Sequence, residues 1–270
     1  MGVFVAKPSP HLCGYIKQYY AVEVTSATPE PYHYRIVPTG LAELMFYSGN
    51  LPKSSDCRKR ITERSIFSGQ QKGFYDFTIS GALSLFSIVF KPHGPMGFFD
   101  FPLAEIYDQN VPLVFLIKNK CSELEAKLYE SDTFTEKVTH AEQFLSTRLH
   151  KSKENHEFER IKCSIEMIGQ NTGKININDL ASNICLSRKQ FERIFAEYVG
   201  TSPKQFIRTV RFQRALFLKS RHPNVSLTAL AYDCSYYDQA HMSNEFRQLS
   251  GMSPKEFFSE CEPESDFFSQ

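Results

Sequence analysis

Two short runs of the chain carry side chains able to read the edges of base pairs. The first holds Arg188, Lys189, Gln190, Glu192 and Arg193, and the second holds Gln239, Ala240, His241, Ser243, Asn244 and Arg247. Arginine can donate two hydrogen bonds to guanine, and asparagine or glutamine can pair with adenine in the major groove. Lys204, Arg208 and Arg211 lie between the runs and are of the types that reach phosphates. Such residues read a sequence only when rigid elements hold them against the duplex. The residues around them must therefore supply those elements.

A repeat supplies them. Residues 176–206, NINDLASNICLSRKQFERIFAEYVGTSPKQF, align with residues 226–257, SLTALAYDCSYYDQAHMSNEFRQLSGMSPKEF. The shift is 50 residues at the start, pairing Asn176 with Ser226 and Ala181 with Ala231. It becomes 51 at the end, pairing Phe191 with Met242, Phe195 with Phe246 and Gly200 with Gly251. Asn176 and Ser226 are capping types that open a helix. A short turn follows, then a second cap: Ser187 with Gln190 in capping-box spacing, and Asp238 in the matching place. Phe191, Phe195 and Tyr198 stand at i, i+4 and i+7, as do Met242, Phe246 and Leu249, so each second helix has one apolar stripe. With that stripe buried, Lys189, Glu192, Arg193 and Ala196 face outward behind Arg188, and Ala240, Ser243, Asn244 and Arg247 face outward behind Gln239. Gly200 and Gly251 suit left-handed helix ends, and the Ser-Pro pairs after them restart helices. The spacing predicts a basic helix from Pro203 to about Ser220 linking the copies, with Phe206, Ile207, Val210, Leu216 and Leu218 on its packing face. Each copy reads as a helix-turn-helix.

Charge supports a polyanionic partner. The net charge is only +1, yet between residues 174 and 221 ten bases face three acids, giving +7. Residues 222–260 carry −3, so the first copy is expected to supply most of the phosphate attraction. Before this region, runs such as RIVPTGLAELMFYSG, SIFSGQ and ALSLFSIVFKPHG, bounded by turn residues, read as β-strands. Between residues 102 and 150 the period changes, and CSELEAKLYE and FTEKVTHAEQFLSTRLH read as two amphipathic helices. The polar stretch HKSKENHE at residues 150–157 marks a boundary.

The expected fold is α+β and multidomain. Residues 1–150 form a β-rich, barrel-like domain ending in linker or dimerisation helices at about 121–150; residues 151–261 form an all-α domain containing the two helix-turn-helix units, and 262–270 a flexible acidic tail. The longest nearly apolar run, Ala82 to Phe90, is far short of the roughly 20 residues that span a bilayer. No basic segment followed by a long apolar core opens the chain, so the expected location is the cytoplasm. Seven scattered cysteines without a C-x-x-C pair predict reduced, buried thiols.

Other chemistry finds little support. The chain has no G-x-S-x-G, no phosphate-binding glycine loop and no H-E-x-x-H, so no enzyme and no cofactor is expected. His11, His33 and His93 lack regular ligand spacing, so no metal is expected either. The many aromatic residues of the first half are expected to be core. Arg35 and Glu43 are the candidates for holding a polar effector, with a mutual ion pair as their structural use. The alternative class is a small-molecule-binding or catalytic β domain with an accessory DNA-binding module.

The two-copy pattern, the linking RTVRFQRAL and above all YYDQAHMSNEFRQLSGMSPKEF resemble the DNA-binding domain of AraC/XylS-type transcription regulators over about residues 157–258. The resemblance implies a sequence-specific regulator, expected to be an activator, with recognition helices at about 187–199 and 238–250 entering successive major-groove segments. It implies double-stranded DNA and RNA polymerase as partners, an all-α domain of about seven helices with a leading one at about Phe158 to Gln170, and base or backbone contacts from Arg188, Lys189, Glu192, Arg193, Gln239, Ala240, Ser243 and Asn244. The β-rich half resembles the sensory domain of one branch of the family, which implies a small-molecule effector without naming it. The helices near 121–150 then either pack on that domain or pair two subunits. Two departures stand out. Cys185 and Ser235 occupy turn positions where the family commonly has glycine, and Asn244 stands where many relatives have arginine.

Overall fold

Nine strands and ten α-helices are present among the described residues of the computed structural model, which are 2–24, 31–54, 56–117, 121–149, 156–171, 175–261 and 268. Most of the expected boundary stretch at 150–157 and of the acidic tail at 262–270 lies outside the described residues. Two compact units divide the chain: one of Met1–Arg35, Leu41–Gly69 and Tyr75–Asn155, the other of Ile36–Gly40, Gln70–Phe74 and His156–Gln270.

In the first unit, β1 (Gly2–Ala6), β2 (Ile16–Val24), β4 (Glu43–Gly49), β6 (Ser65–Ser68), β8 (Leu83–Phe90) and β9 (Asn110–Pro112) make a sheet in the order β1-β2-β8-β4-β6-β9. Antiparallel pairing joins each neighbouring pair for which register is defined, among them Tyr20 opposite Ser87 and Met45 opposite Ser87. A second sheet has the order β3-β7-β5, from β3 (Tyr32–Ile36), β7 (Tyr75–Ile79) and β5 (Lys53–Ser54). The β-rich expectation thus takes the form of two sheets, which the aromatic supply of the sequence fills. Tyr19, Phe67, Phe90, Phe98 and Phe99 are completely buried, and Phe67 meets Phe99 edge to face at 5.4 Å. Tyr32 and Tyr34, in contrast, are about half exposed. A buried Lys59–Asp108 ion pair at 2.7 Å adds a polar element to this core.

Helices α1 (Leu113–Ile117), α2 (Ser122–Glu130) and α3 (Phe134–Arg148) complete the unit. Thr133 and Glu136 form a reciprocal capping box that opens α3, and Leu145 and Ala141 bury its apolar face. The two helices expected between residues 102 and 150 are therefore α2 and α3.

The second unit holds seven helices: α4 (His156–Gln170), α5 (Ile177–Asn183), α6 (Arg188–Val199), α7 (Pro203–Arg221), α8 (Leu227–Asp233), α9 (Gln239–Ser250) and α10 (Pro254–Glu260). Phe206, Val210, Phe212, Ala215 and Leu216 bury α7 almost completely on its apolar side. The sequence pattern hides one feature of this unit, which includes two five-residue segments from the first hundred residues. Val37 packs on its apolar core, the Gln213 side chain donates to the Pro38 carbonyl at 2.8 Å, and Gln70 donates to the Gly40 carbonyl at 2.8 Å. Gln213 is buried and sits in an otherwise apolar helix face, so that carbonyl satisfies an amide that would otherwise cost about 1–3 kcal/mol.

The cysteine expectation needs correction. All seven thiols are free, but Cys13, Cys57, Cys163 and Cys185 are exposed, and only Cys121 and Cys234 are buried. Cys13 and Cys185 lie in turns and Cys57 in a 3-10 helix, outside the packed helix faces. Among the described residues, no helix is long and apolar enough to cross a membrane.

Candidate nucleic-acid interface

In the first copy, the Asn176 side chain caps α5 by accepting from the Asn178 amide at 2.8 Å. The chain reverses at Cys185, whose φ of 56° is left-handed, and the Leu186 amide then donates to Ala181 O at 2.9 Å. The position where glycine was expected thus keeps the glycine conformation, at a steric cost carried by a cysteine. Ser187 and Gln190 form a full capping box at the start of α6. Gln190 therefore serves the cap, since its side-chain oxygen accepts from the Ser187 amide and hydroxyl at 3.2 and 2.9 Å. Arg188, Lys189 and Arg193 are exposed along α6 and Glu192 is half-buried. Arg188 pairs with Glu192 at 2.9 Å and Arg193 with Glu197 at 3.5 Å. Exposed pairs of this kind are worth well under about 1 kcal/mol, so both guanidiniums exchange readily onto a stronger anionic partner.

The second copy repeats the scaffold with other side chains. Ser226 caps α8, Ser235 turns the chain at φ 63°, and the Tyr236 amide donates to Ala231 O at 2.9 Å. Asp238 caps α9 by accepting from the His241 amide at 2.6 Å. Gln239, Ala240, Asn244 and Arg247 are exposed, while His241 and Ser243 are half-buried. Gln239 accepts from Thr228 at 3.0 Å, and the Ser243 hydroxyl donates to the Gln239 carbonyl at 2.8 Å. Gly200 and Gly251 end α6 and α9 with φ of 85° and 77°. An α6 or α9 of twelve residues is about 18 Å long, enough to lie along a major groove.

Sequence reasoning passed over Tyr237. Its side chain is 84% exposed immediately before the Asp238 cap, where a phenol can reach a phosphate. The available signal was the repeat itself, since Leu186 matches Tyr236 and Tyr237 is the one residue the second copy has in excess, where the shift passes from 50 to 51.

On the linking helix the three basic candidates have different surroundings. Lys204 is exposed, but Arg208 and Arg211 are largely covered. Glu245 on α9 accepts from Arg208 Nε at 3.2 Å and from Arg211 Nη2 at 2.8 Å. The Arg211 guanidinium also lies 5.2 Å from the Tyr236 ring centroid. Burial, with Glu245 nearby, holds the Tyr236 phenol well above its usual range. Both arginines are thus paired inside the unit with a buried carboxylate. Further along, Lys219 donates to the carbonyls of Pro223 and Val225 at 2.6 and 3.1 Å. The charge of the basic block overstates the field the helix shows to its surroundings.

The effector candidates lie in the first unit and on different sheets. Arg35 of β3 grips both carboxylate oxygens of Asp76 at 2.7 and 2.9 Å and holds that carboxyl below its usual range. Glu43 opens β4, where it accepts from the Tyr20 phenol at 2.8 Å and the Ser87 hydroxyl at 2.9 Å. The strand register explains the bond, since Tyr20 and Ser87 face each other across β2 and β8.

Comparison with known proteins agrees with this geometry. Residues 180–260 match the family described as a helix-turn-helix domain, and residues 5–112 match a domain of unknown function, DUF6597. An uncharacterised HTH-type transcriptional regulator of Haemophilus influenzae is 32% identical over 93 residues, covering 34% of this chain and 31% of that protein. The HTH-type transcriptional activator RhaS of Escherichia fergusonii is 31% identical over 77 residues, covering 28% of this chain and 27% of its own. The chain thus matches less than a third of the length of these curated relatives. The crystal structure of ToxT from Vibrio cholerae aligns over 90% of this chain and 97% of its own, with 11% identity and a TM-score of 0.49. Two capped helix pairs, each turned at a left-handed residue and joined by one long helix, make the C-terminal part of this chain an AraC-type helix-turn-helix domain, carried behind a domain of the DUF6597 family.

Proposed function

We propose that this chain is a sequence-specific DNA-binding regulator of transcription that places α6 and α9 in successive major-groove segments. The observation that carries the reading is the pairing of two exposed helix faces on one scaffold, with Arg188, Lys189 and Arg193 on α6 and Gln239, Asn244 and Arg247 on α9. Arginine and asparagine are the types that discriminate guanine and adenine. Lys204 and Tyr237 are assigned to phosphates, and Glu192, Ala240, His241 and Ser243 line the two faces. Activation is the sense of regulation proposed, supported by the similarity to activators named RhaS, and RNA polymerase is the partner such an activator must reach. The first unit is assigned the sensing of a small-molecule effector and no catalytic step.

Selection of bound duplexes from a random library by the full chain tests the reading. The expected product is a motif with two blocks of preferred bases about one helical turn apart. Recovery of sequences without any preferred base would overturn it. Arg193→Ala is expected to flatten one block, and Asn244→Ala the other.

A further inference from the structure

Glu245 occupies the place that Ile194 holds in the first copy, 51 residues earlier. Both are inside: Ile194 is 2% exposed and the Glu245 side chain 8%. An apolar residue suits that site without further support, whereas a carboxylate must be paid back for its lost water. The compensation comes from one side. Glu245 Oε1 meets Arg208 Nε at 3.2 Å, Arg211 Nη2 at 2.8 Å and His241 Nε2 at 3.4 Å, while Oε2 is buried without a hydrogen-bond partner among the described residues.

The network continues past the two helices. Arg208 Nη1 donates to Gln205 Oε1 at 2.9 Å, and Nη2 donates to Gln248. The Gln205 amide in turn donates to the Lys72 carbonyl at 3.1 Å. A single chain of hydrogen bonds therefore runs from segment 70–74 through the start of α7 to the middle of α9, wholly inside the helical unit. Packing reinforces its near end, because a Cβ on Gly251 would come within 2.6 Å of the Phe74 ring. That glycine ends α9, so segment 70–74 also sits against the end of the same helix.

Resting on the DNA-binding reading, we propose that Glu245 is a specificity-determining positioning residue. It sets the rotation of α9 about its own axis, and segment 70–74 contributes to that setting through Gln205 and Arg208. The chemistry is directional. A carboxylate oxygen shared by donors on α7 defines one azimuth for α9, whereas a packed isoleucine tolerates sliding. Asn244 precedes Glu245 and Arg247 follows it by two residues, so they turn with it. A rotation of about 20° would carry side-chain tips by about 2 Å, beyond the tolerance of a hydrogen bond to a base edge. The first copy, with Ile194, does not depend on this device.

The test is library selection with the full chain, its two motif blocks assigned to α6 and α9 by the Arg193→Ala and Asn244→Ala profiles. In Glu245→Gln, discrimination at the α9 block is expected to fall about 10-fold, with less than about a 2-fold change at the α6 block. Gln205→Ala is expected to lower the α9 block about 3-fold, and the double variant to match Glu245→Gln alone, since both act through one chain. Equal losses at both blocks, an unchanged profile, or additive effects in the double variant would overturn the proposal. If Glu245→Gln fails to fold by thermal melting, Glu245→Ile is read by the same criteria, and a folded Glu245→Ile with the wild-type profile overturns it. A wild-type chain with no base preference sinks the DNA reading itself, whereas a wild-type motif with equal losses sinks this inference alone.

Discussion

The two helix-turn-helix copies share a scaffold and differ in how they are held. Both have a capped first helix, a left-handed turn residue, a capped second helix and a glycine end. The first is held by apolar contact, with Phe191, Ile194 and Phe195 buried, and it shows three cations on its face. The second keeps Met242, Phe246 and Leu249 but inserts Glu245, and its face carries amides and one arginine. A repeat therefore conserves the residues that make a backbone shape, while the residues that set charge and orientation diverge. The first copy is suited to gripping the polyanion and the second to reading it at a fixed angle.

Exchanging the two core residues gives the sharpest contrast. Ile194→Glu puts an unpaired carboxylate into an apolar site and is expected to cost about 3–5 kcal/mol, read by urea unfolding of the full chain. The reciprocal Glu245→Ile should cost less, about 1–3 kcal/mol, because the stranded arginines keep some access to water. Equal costs would show that the two sites are held alike. Next in size, Arg193→Ala is expected to weaken binding to the selected site by about 1–3 kcal/mol in a titration, and Asn244→Ala by about 1 kcal/mol. The reverse order would assign the larger share of affinity to the second copy.

Salt dependence separates free from consumed cations. Lys189→Ala should reduce the slope of log K against log salt by about 1, whereas Arg208→Ala should leave it nearly unchanged. A fall in the Arg208→Ala slope would mean that DNA takes that arginine from Glu245. The two turns offer a smaller test of likeness. Cys185→Gly and Ser235→Gly should each stabilise the unit by about 1 kcal/mol in thermal melts, because glycine relieves positive φ. Last, a thiol reagent at a pH of about 8 should label exposed Cys185 and spare Cys234, whose thiol burial pushes up to about 12. Fast labelling of Cys234 would mean that the second copy opens locally.

Much of the site could be read from the chain because its signals are local. Caps, Ser-Pro restarts, glycine ends and i, i+4, i+7 stripes each involve residues within one or two turns, and each reappears in the structure at the expected residue. The pairing of Arg208 and Arg211 was not legible for the opposite reason. Their partner Glu245 lies 37 and 34 residues away, and nothing local distinguishes a basic residue that meets solvent from one that meets a buried acid. Arg35 with Asp76, separated by 41 residues, and Glu43 with Tyr20 and Ser87 are further cases of partners chosen by strand register. Three of the four exposed cysteines lie outside α-helices, Cys13 and Cys185 in turns and Cys57 in a 3-10 helix, where no apolar stripe draws a small side chain inward.

By itself the chain determined the two capped helix pairs of its C-terminal part, the basic helix that links them, the two outward faces and the glycine helix ends, since hydrogen-bonding and steric preferences act over a few residues. Only tertiary structure decided which charges remain available, that segments 36–40 and 70–74 join the helical unit, and that Glu245 ties α9 to α7. Those outcomes depend on which distant groups share a desolvated site, where the strength of a charge is set by what surrounds it.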